Sequence, residues 1–290
     1  MEINERIVEI LKKDPVFERL AVKVTDDTVI KPSEYFLRKD GTFVFIETVF
    51  QDDQGKEFII GNPVRLPKLP SNELCAGKIE PIFGVDVYNI MKIFKGNKMS
   101  DSHFTQKETI RLIQETQKDS DYHLYPFEQA ELHIGSNFDR NEFLYQFPMH
   151  ETLEYNLEMD VENIKKAVNW AKRDLDMVIK DLGLTGSSSL GIIDPEEDVD
   201  LCFFGTVKEL IKIRDVIHNG VVSGKYIAME EFGHVWPLRA IIDDFELCPF
   251  FIPSDYEMYH ANIKVNEFIG EMNVKVVNDD CNMLSPILLK

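Results

Sequence analysis

The spacing of hydrophobic positions changes several times along the chain, and each change predicts a different kind of element. Ile3, Ile7, Ile10 and Leu11 recur at helical spacing with charged residues between them, which predicts a surface helix that stops before Pro15. From there to about residue 95 the chain reads as strands and turns. Thr42 to Phe50 is rich in β-branched and aromatic side chains, residues 51–56 (QDDQGK) read as a turn, and Glu57 to Gly61 resumes an extended pattern, so a hairpin is expected. Pro63, Pro67 and Pro70 lack the N–H that a central strand needs, and they predict a loop or a sheet edge after it. Two shorter helices are expected further on. One is opened by Thr105 with Glu108 in capping-box register and carries Ile110, Leu112 and Ile113; the other begins near Pro126 with Phe127, Ala130, Leu132 and Ile134. Residues 1–155 therefore read as a β-rich α+β module.

From about Asp160 the period lengthens. Ile164, Val168, Ala171, Leu175, Val178 or Ile179, and Leu182 recur every three or four residues, which predicts a helix of about six turns ended by Gly183. A Gly-Ser corner follows (Gly186, Ser187, Ser188, Ser189), then Gly191, an acidic turn (Asp194-Pro195-Glu196-Glu197), and a strand opened by Asp198-Val199-Asp200. A further helix carries Val207, Leu210, Ile211 and Ile217 inward and Lys208, Lys212 and Arg214 on its solvated face. His218, beside Asn219-Gly220, is expected at its C-terminal end. Trp170 and Trp236 read as core or cover.

Composition narrows the class of protein. The 290 residues carry a formal net charge of −19, yet 44% of them are hydrophobic, which excludes a disordered acidic chain. Residues 1–150 hold 19 basic against 25 acidic side chains, and residues 151–290 hold 13 against 26, so most of the acidity lies in the second half. That field disfavours extended nucleic-acid binding and attachment to an anionic membrane. No apolar run approaches membrane-spanning length and the first helix is no secretory signal, so a cytoplasmic location is expected. Cys75, Cys202, Cys248 and Cys281 show no zinc or redox spacing; Cys202 and Cys248 sit in apolar runs as buried thiols would.

Strand side chains alternate faces, so Asp198 and Asp200 project together while Val199 and Leu201 turn to the core. Two carboxylates that close repel unless a cation lies between them, and Mg²⁺ takes one or two carboxylates with waters and phosphate oxygens. The Gly186-Ser187 corner can offer backbone N–H groups and hydroxyls to a phosphate. Phosphate on one side and metal on the other describes a nucleoside triphosphate site.

At these residues the chain resembles the nucleotidyltransferase superfamily typified by the catalytic core of DNA polymerase beta: Gly186-Ser187, ten intervening residues, then Asp198-x-Asp200 at a strand start. It looks most like archaeal two-part members with a separate amino-terminal module, and the likeness covers about residues 160–252. The resemblance implies an α+β fold, with a nucleotidyltransferase-type mixed sheet and flanking helices over 156–290, beside the amino-terminal module. It also implies transfer of a nucleotidyl group from a nucleoside triphosphate to an acceptor hydroxyl, with Mg²⁺, or Mn²⁺ in its place, on Asp198, Asp200 and a third carboxylate. Glu246 is expected in that third role, with Asp244 as the alternative, and Gly186, Ser187 and Ser188 are expected around the triphosphate. Glu where the family usually has Asp is a departure, as is the lack of an Arg or Lys shortly after the corner. A nucleotide-binding or protein-interaction module that keeps the fold without transfer is the other reading. The charge balance favours a small molecule, a protein or a short RNA end as acceptor.

Overall fold

The computed structural model describes residues 5–51, 57–67, 77–95, 98–99, 136–194, 197–231 and 234–254. They are of mixed α and β structure and divide into two compact units, which meet in sequence between Gln146 and Phe147. The helices expected from Thr105 and from Pro126 lie outside the described residues.

In the first unit, α1 (Glu5–Leu11) is followed at once by α2 (Pro15–Leu20), so Pro15 begins a second helix as well as ending the first. Asp14 explains this, because its carboxylate accepts from the Val16 and Phe17 N–H groups while the proline occupies the first helical position, where no N–H is needed. The strands are β1 (Val22–Lys23), β2 (Tyr35–Arg38), β3 (Phe43–Gln51), β4 (Glu57–Pro67), β5 (Gly77–Ile82), β6 (Val85–Lys95), β7 (Lys98–Met99), β8 (Ser136–Phe138) and β9 (Phe143–Phe147). They run in the order β1-β9-β2-β3-β4-β6-β5, with β7 on β6 and β8 on β4. The β3–β4 hairpin forms as the alternation predicts. The proline-rich stretch is a correction: β4 continues through Pro63 to Pro67. Pro63 is tolerated because the β3 pairing shifts register there, and because on β4's other side β8 pairs only residues 59–61 and β6 only 65–67.

The second unit holds α3 (Met149–Glu158), α4 (Glu162–Leu175), β10 (Leu182–Leu184), β11 (Val199–Gly205), α5 (Val207–Val222), β12 (Ile227–Glu231), β13 (His234–Ile242) and β14 (Phe245–Pro253). The sheet order is β10-β11-β14-β13-β12, mixed as expected: β11 and β14 are parallel and the other pairs antiparallel. Residues 155 and 156, the expected domain division, are consecutive positions within α3. One sheet face, bearing Val199, Leu201, Phe203, Ala240, Ile242, Leu247 and Phe251, packs on Ile164, Val168 and Ala171 of α4 and Leu210, Ile213 and Ile217 of α5. Trp170 fills the centre. It is fully buried, meets Phe203, Phe245 and Tyr226 edge-on, and donates its indole N–H to the Tyr226 hydroxyl at 3.1 Å. Trp236, by contrast, is exposed.

Two helix ends differ from expectation. α4 stops at Leu175, where Asp176 adopts a left-handed conformation, and Leu182 and Leu184 belong to a strand facing Phe203 and Leu201. Gly183 is therefore no helix stop; a methyl group there would lie 2.8 Å from Met149 Cβ and 2.8 Å from the Phe204 ring. α5 runs on past Asn219 and Gly220 to Val222, which places His218 inside the helix. No helix among the described residues is long and apolar enough to cross a membrane.

Candidate functional site

The opposite sheet face begins polar and becomes apolar. At its far end Cys202, Ile252 and Met149 pack together, and at the start of β11 the same face carries Asp198 and Asp200. The backbone brings the Gly-Ser corner to them: β10 pairs Leu184 with Leu201, and the next residue, Thr185, donates its N–H to the Asp200 carbonyl at 3.0 Å. Gly186 then lies directly against the Asp200 side chain. A methyl group there would sit 1.8 Å from Asp200 Oδ2, and the backbone φ is +71°, so approach and conformation both demand glycine. Gly186–Leu190 forms a short 3₁₀ turn closed by Gly191, whose N–H donates to the Ser188 carbonyl at 3.1 Å.

Asp198, Asp200 and Cys248 come together, each offering a ligand atom within 4.8 Å of the others. The strand register explains the third member: Asp200 faces Cys248 across the parallel β11–β14 pair. Glu246, the expected third carboxylate, points to the same face two residues earlier on β14, but it is exposed and outside this group. Asp244 is in the β13–β14 turn and pairs with Lys166 of α4 at 2.6 Å. Strand parity would put Asp244, Glu246 and Cys248 on one face, but it holds for the last two only, because a tight turn interrupts the strand at Asp243-Asp244.

A cation is already present. Arg239 of β13 forms an ion pair with Asp198. Inward-facing Ala240 and Ile242 place Arg239 on the site face by parity, a signal available in the sequence. Burial and the neighbouring Asp198 charge push the Asp200 carboxyl up to about 7, opposed by the Cys248 S–H that donates to it and by Arg239. Burial, together with the Asp200 charge, raises the Cys248 thiol well above its ordinary range, so it stands as a protonated donor. Asp198 and Asp200 fit one hard divalent cation. A protonated thiol does not fit a second, since Mg²⁺ selects oxygen ligands.

Ser187 donates its hydroxyl to Glu197, a partner that its position in the acidic turn did not announce. Ser189 is buried and turned inward to the Leu184 carbonyl, and Ser188 lines a small open pocket with Ser187, Glu197 and Asp198. Asn156 of α3 also lines it. This residue is fully buried; its Nδ2 donates to the Thr152 carbonyl at 2.9 Å, and Oδ1 has no hydrogen-bond partner among the described residues.

No protein-family model matches the chain, and neither the curated proteins nor the solved structures return a match.

Proposed function

We propose that the second unit binds a nucleoside triphosphate with Mg²⁺ and transfers its nucleotidyl group to an acceptor hydroxyl. The observation that carries this reading is the convergence of Asp198 and Asp200 on a glycine corner that admits no side chain. Bound at Asp198 and Asp200, Mg²⁺ would neutralise charge on the phosphates and on the departing pyrophosphate. Ser187 would exchange Glu197 for a phosphate oxygen, and Ser188 would donate beside it. The acceptor oxygen bonds to the α-phosphorus, the bond to the bridging oxygen of the β-phosphate breaks, pyrophosphate leaves, and the hydroxyl proton passes to solvent.

A second reading, binding without transfer, is favoured by one observation: a protonated Cys248, where a third carboxylate would stand, faces Asp200. The two separate in one experiment. Thermal unfolding is followed with each of four nucleoside triphosphates, with and without Mg²⁺ or Mn²⁺, and labelled nucleotide transfer is then assayed onto small molecules, proteins and short RNA ends. Metal-linked stabilisation with transfer that Asp200→Asn abolishes supports the first reading. Stabilisation without transfer supports the second, and no metal-linked stabilisation by any nucleotide counts against both.

A further inference from the structure

Residues 183–200, which hold the Gly-Ser corner, the acidic turn and the two aspartates, carry no Lys or Arg. A cation beside bound phosphates has to come from another element, and β13 supplies one. Arg239 lies two strands from β11 in the sheet order, roughly 10 Å away at the usual strand spacing, so its side chain reaches across β14 to pair with Asp198. Both partners are partly buried, and the Arg239 charge also bears on Asp200 and Cys248. That pairing sets up a conflict. Asp198 and Asp200 are the ligands a divalent cation would use, and a guanidinium on Asp198 repels it. Arginine keeps its charge at any ordinary pH, so it makes way by moving and not by losing a proton. Its fork fits two oxygens of a phosphate as well as two of a carboxylate, which gives the displaced group a destination once a triphosphate is bound.

We propose that Arg239 couples metal binding to phosphate binding: it holds Asp198 against Mg²⁺ in the unliganded chain and transfers to a phosphate oxygen when the metal arrives with a triphosphate. The transfer to phosphate rests on the nucleotide reading above; the competition for Asp198 does not. By linkage, each ligand then raises the affinity for the other by the same factor.

Two titrations of the full chain test it, with thermal unfolding of each variant as the check on folding. Binding of Mn²⁺ alone is followed by loss of the free-ion paramagnetic resonance signal, and binding of ATP with Mg²⁺ by calorimetry. Arg239→Gln is expected to tighten Mn²⁺ at least tenfold and to weaken ATP with Mg²⁺ at least tenfold, opposite shifts that a merely structural loss would not produce. Adding Asp198→Asn to Arg239→Gln should cancel the gain in Mn²⁺ affinity. Arg239→Lys, which keeps the charge without the fork, should fall between the parent and Arg239→Gln in both titrations, and it carries the test if the glutamine variant fails to fold. Mn²⁺ affinity that is unchanged or lowered, or absent from parent and variant alike, overturns the competition for Asp198. ATP affinity that is unchanged or raised overturns the transfer to phosphate. If the parent chain binds no ATP with Mg²⁺, the nucleotide reading fails instead, and the Mn²⁺ titration still decides whether Arg239 competes for Asp198.

Discussion

Asp200 links the geometry of the site to a measurable pH dependence. Its carboxyl titrates near 7 in the folded chain, against an ordinary value near 4, so the folded state holds a proton that the unfolded chain releases over that window. Stability is therefore expected to fall as pH rises from about 4 to about 7, by at most about 1.4 kcal/mol per pH unit from this group. Asp200→Asn should be more stable than the parent above pH 7, and the difference between the two should vanish near pH 4. Denaturant unfolding at a series of pH values checks this, and a difference that stays constant with pH would show that Asp200 is not the group responsible. The chemistry of Asp198 and Asp200 was legible in the sequence because strand parity follows from two apolar neighbours, Val199 and Leu201. Cys248 was not legible as a partner, since a thiol in an apolar run reads as core, and for Arg239 parity indicates the sheet face but not the carboxylate it meets. Only the pairing of three strands sets them beside those aspartates.

At the level of elements, close approach decides what local propensity cannot. In α5, Gly220 ordinarily costs about 1 kcal/mol relative to alanine, so replacement would stabilise an isolated helix. Here a methyl group would meet the Tyr226 ring at 2.1 Å, and that ring is buried and held by Trp170. Gly220→Ala should therefore lower the unfolding temperature, with a net loss of about 1–3 kcal/mol from overpacking. A rise in that temperature would mean that the ring yields freely. The same physics explains the misread end of α4. Leu182 fits the helical stripe by spacing, but its partner is Phe203 in a strand, and Gly183 serves packing against Met149 and Phe204. Periodicity reports which residues are buried; at Leu182 it could not report which element buries them.

For the whole molecule the net charge of −19 sets the expectation. Self-repulsion at that charge is screened over about 10 Å at 0.1 M salt, so adding monovalent salt should raise the unfolding temperature and then level off. Mg²⁺ at matched ionic strength should raise it further, and Asp198→Asn with Asp200→Asn should remove that excess. A fall with monovalent salt would show that ion pairs such as Arg38–Glu142 and Lys166–Asp244 outweigh the repulsion.

By itself the sequence determined the mixed α and β class, the β3–β4 hairpin, the start of the long helix at α4, and the pair of carboxylates projecting from one strand face. Each depends on neighbours within a few residues, where alternation and helical spacing are set by backbone geometry. Tertiary structure alone decided that Asp200 lies against Gly186, that Cys248 takes the place expected for Glu246, and that Arg239 and Asn156 border the site. Those contacts join residues from 14 to 48 positions apart through sheet register and helix packing, and no local pattern encodes them.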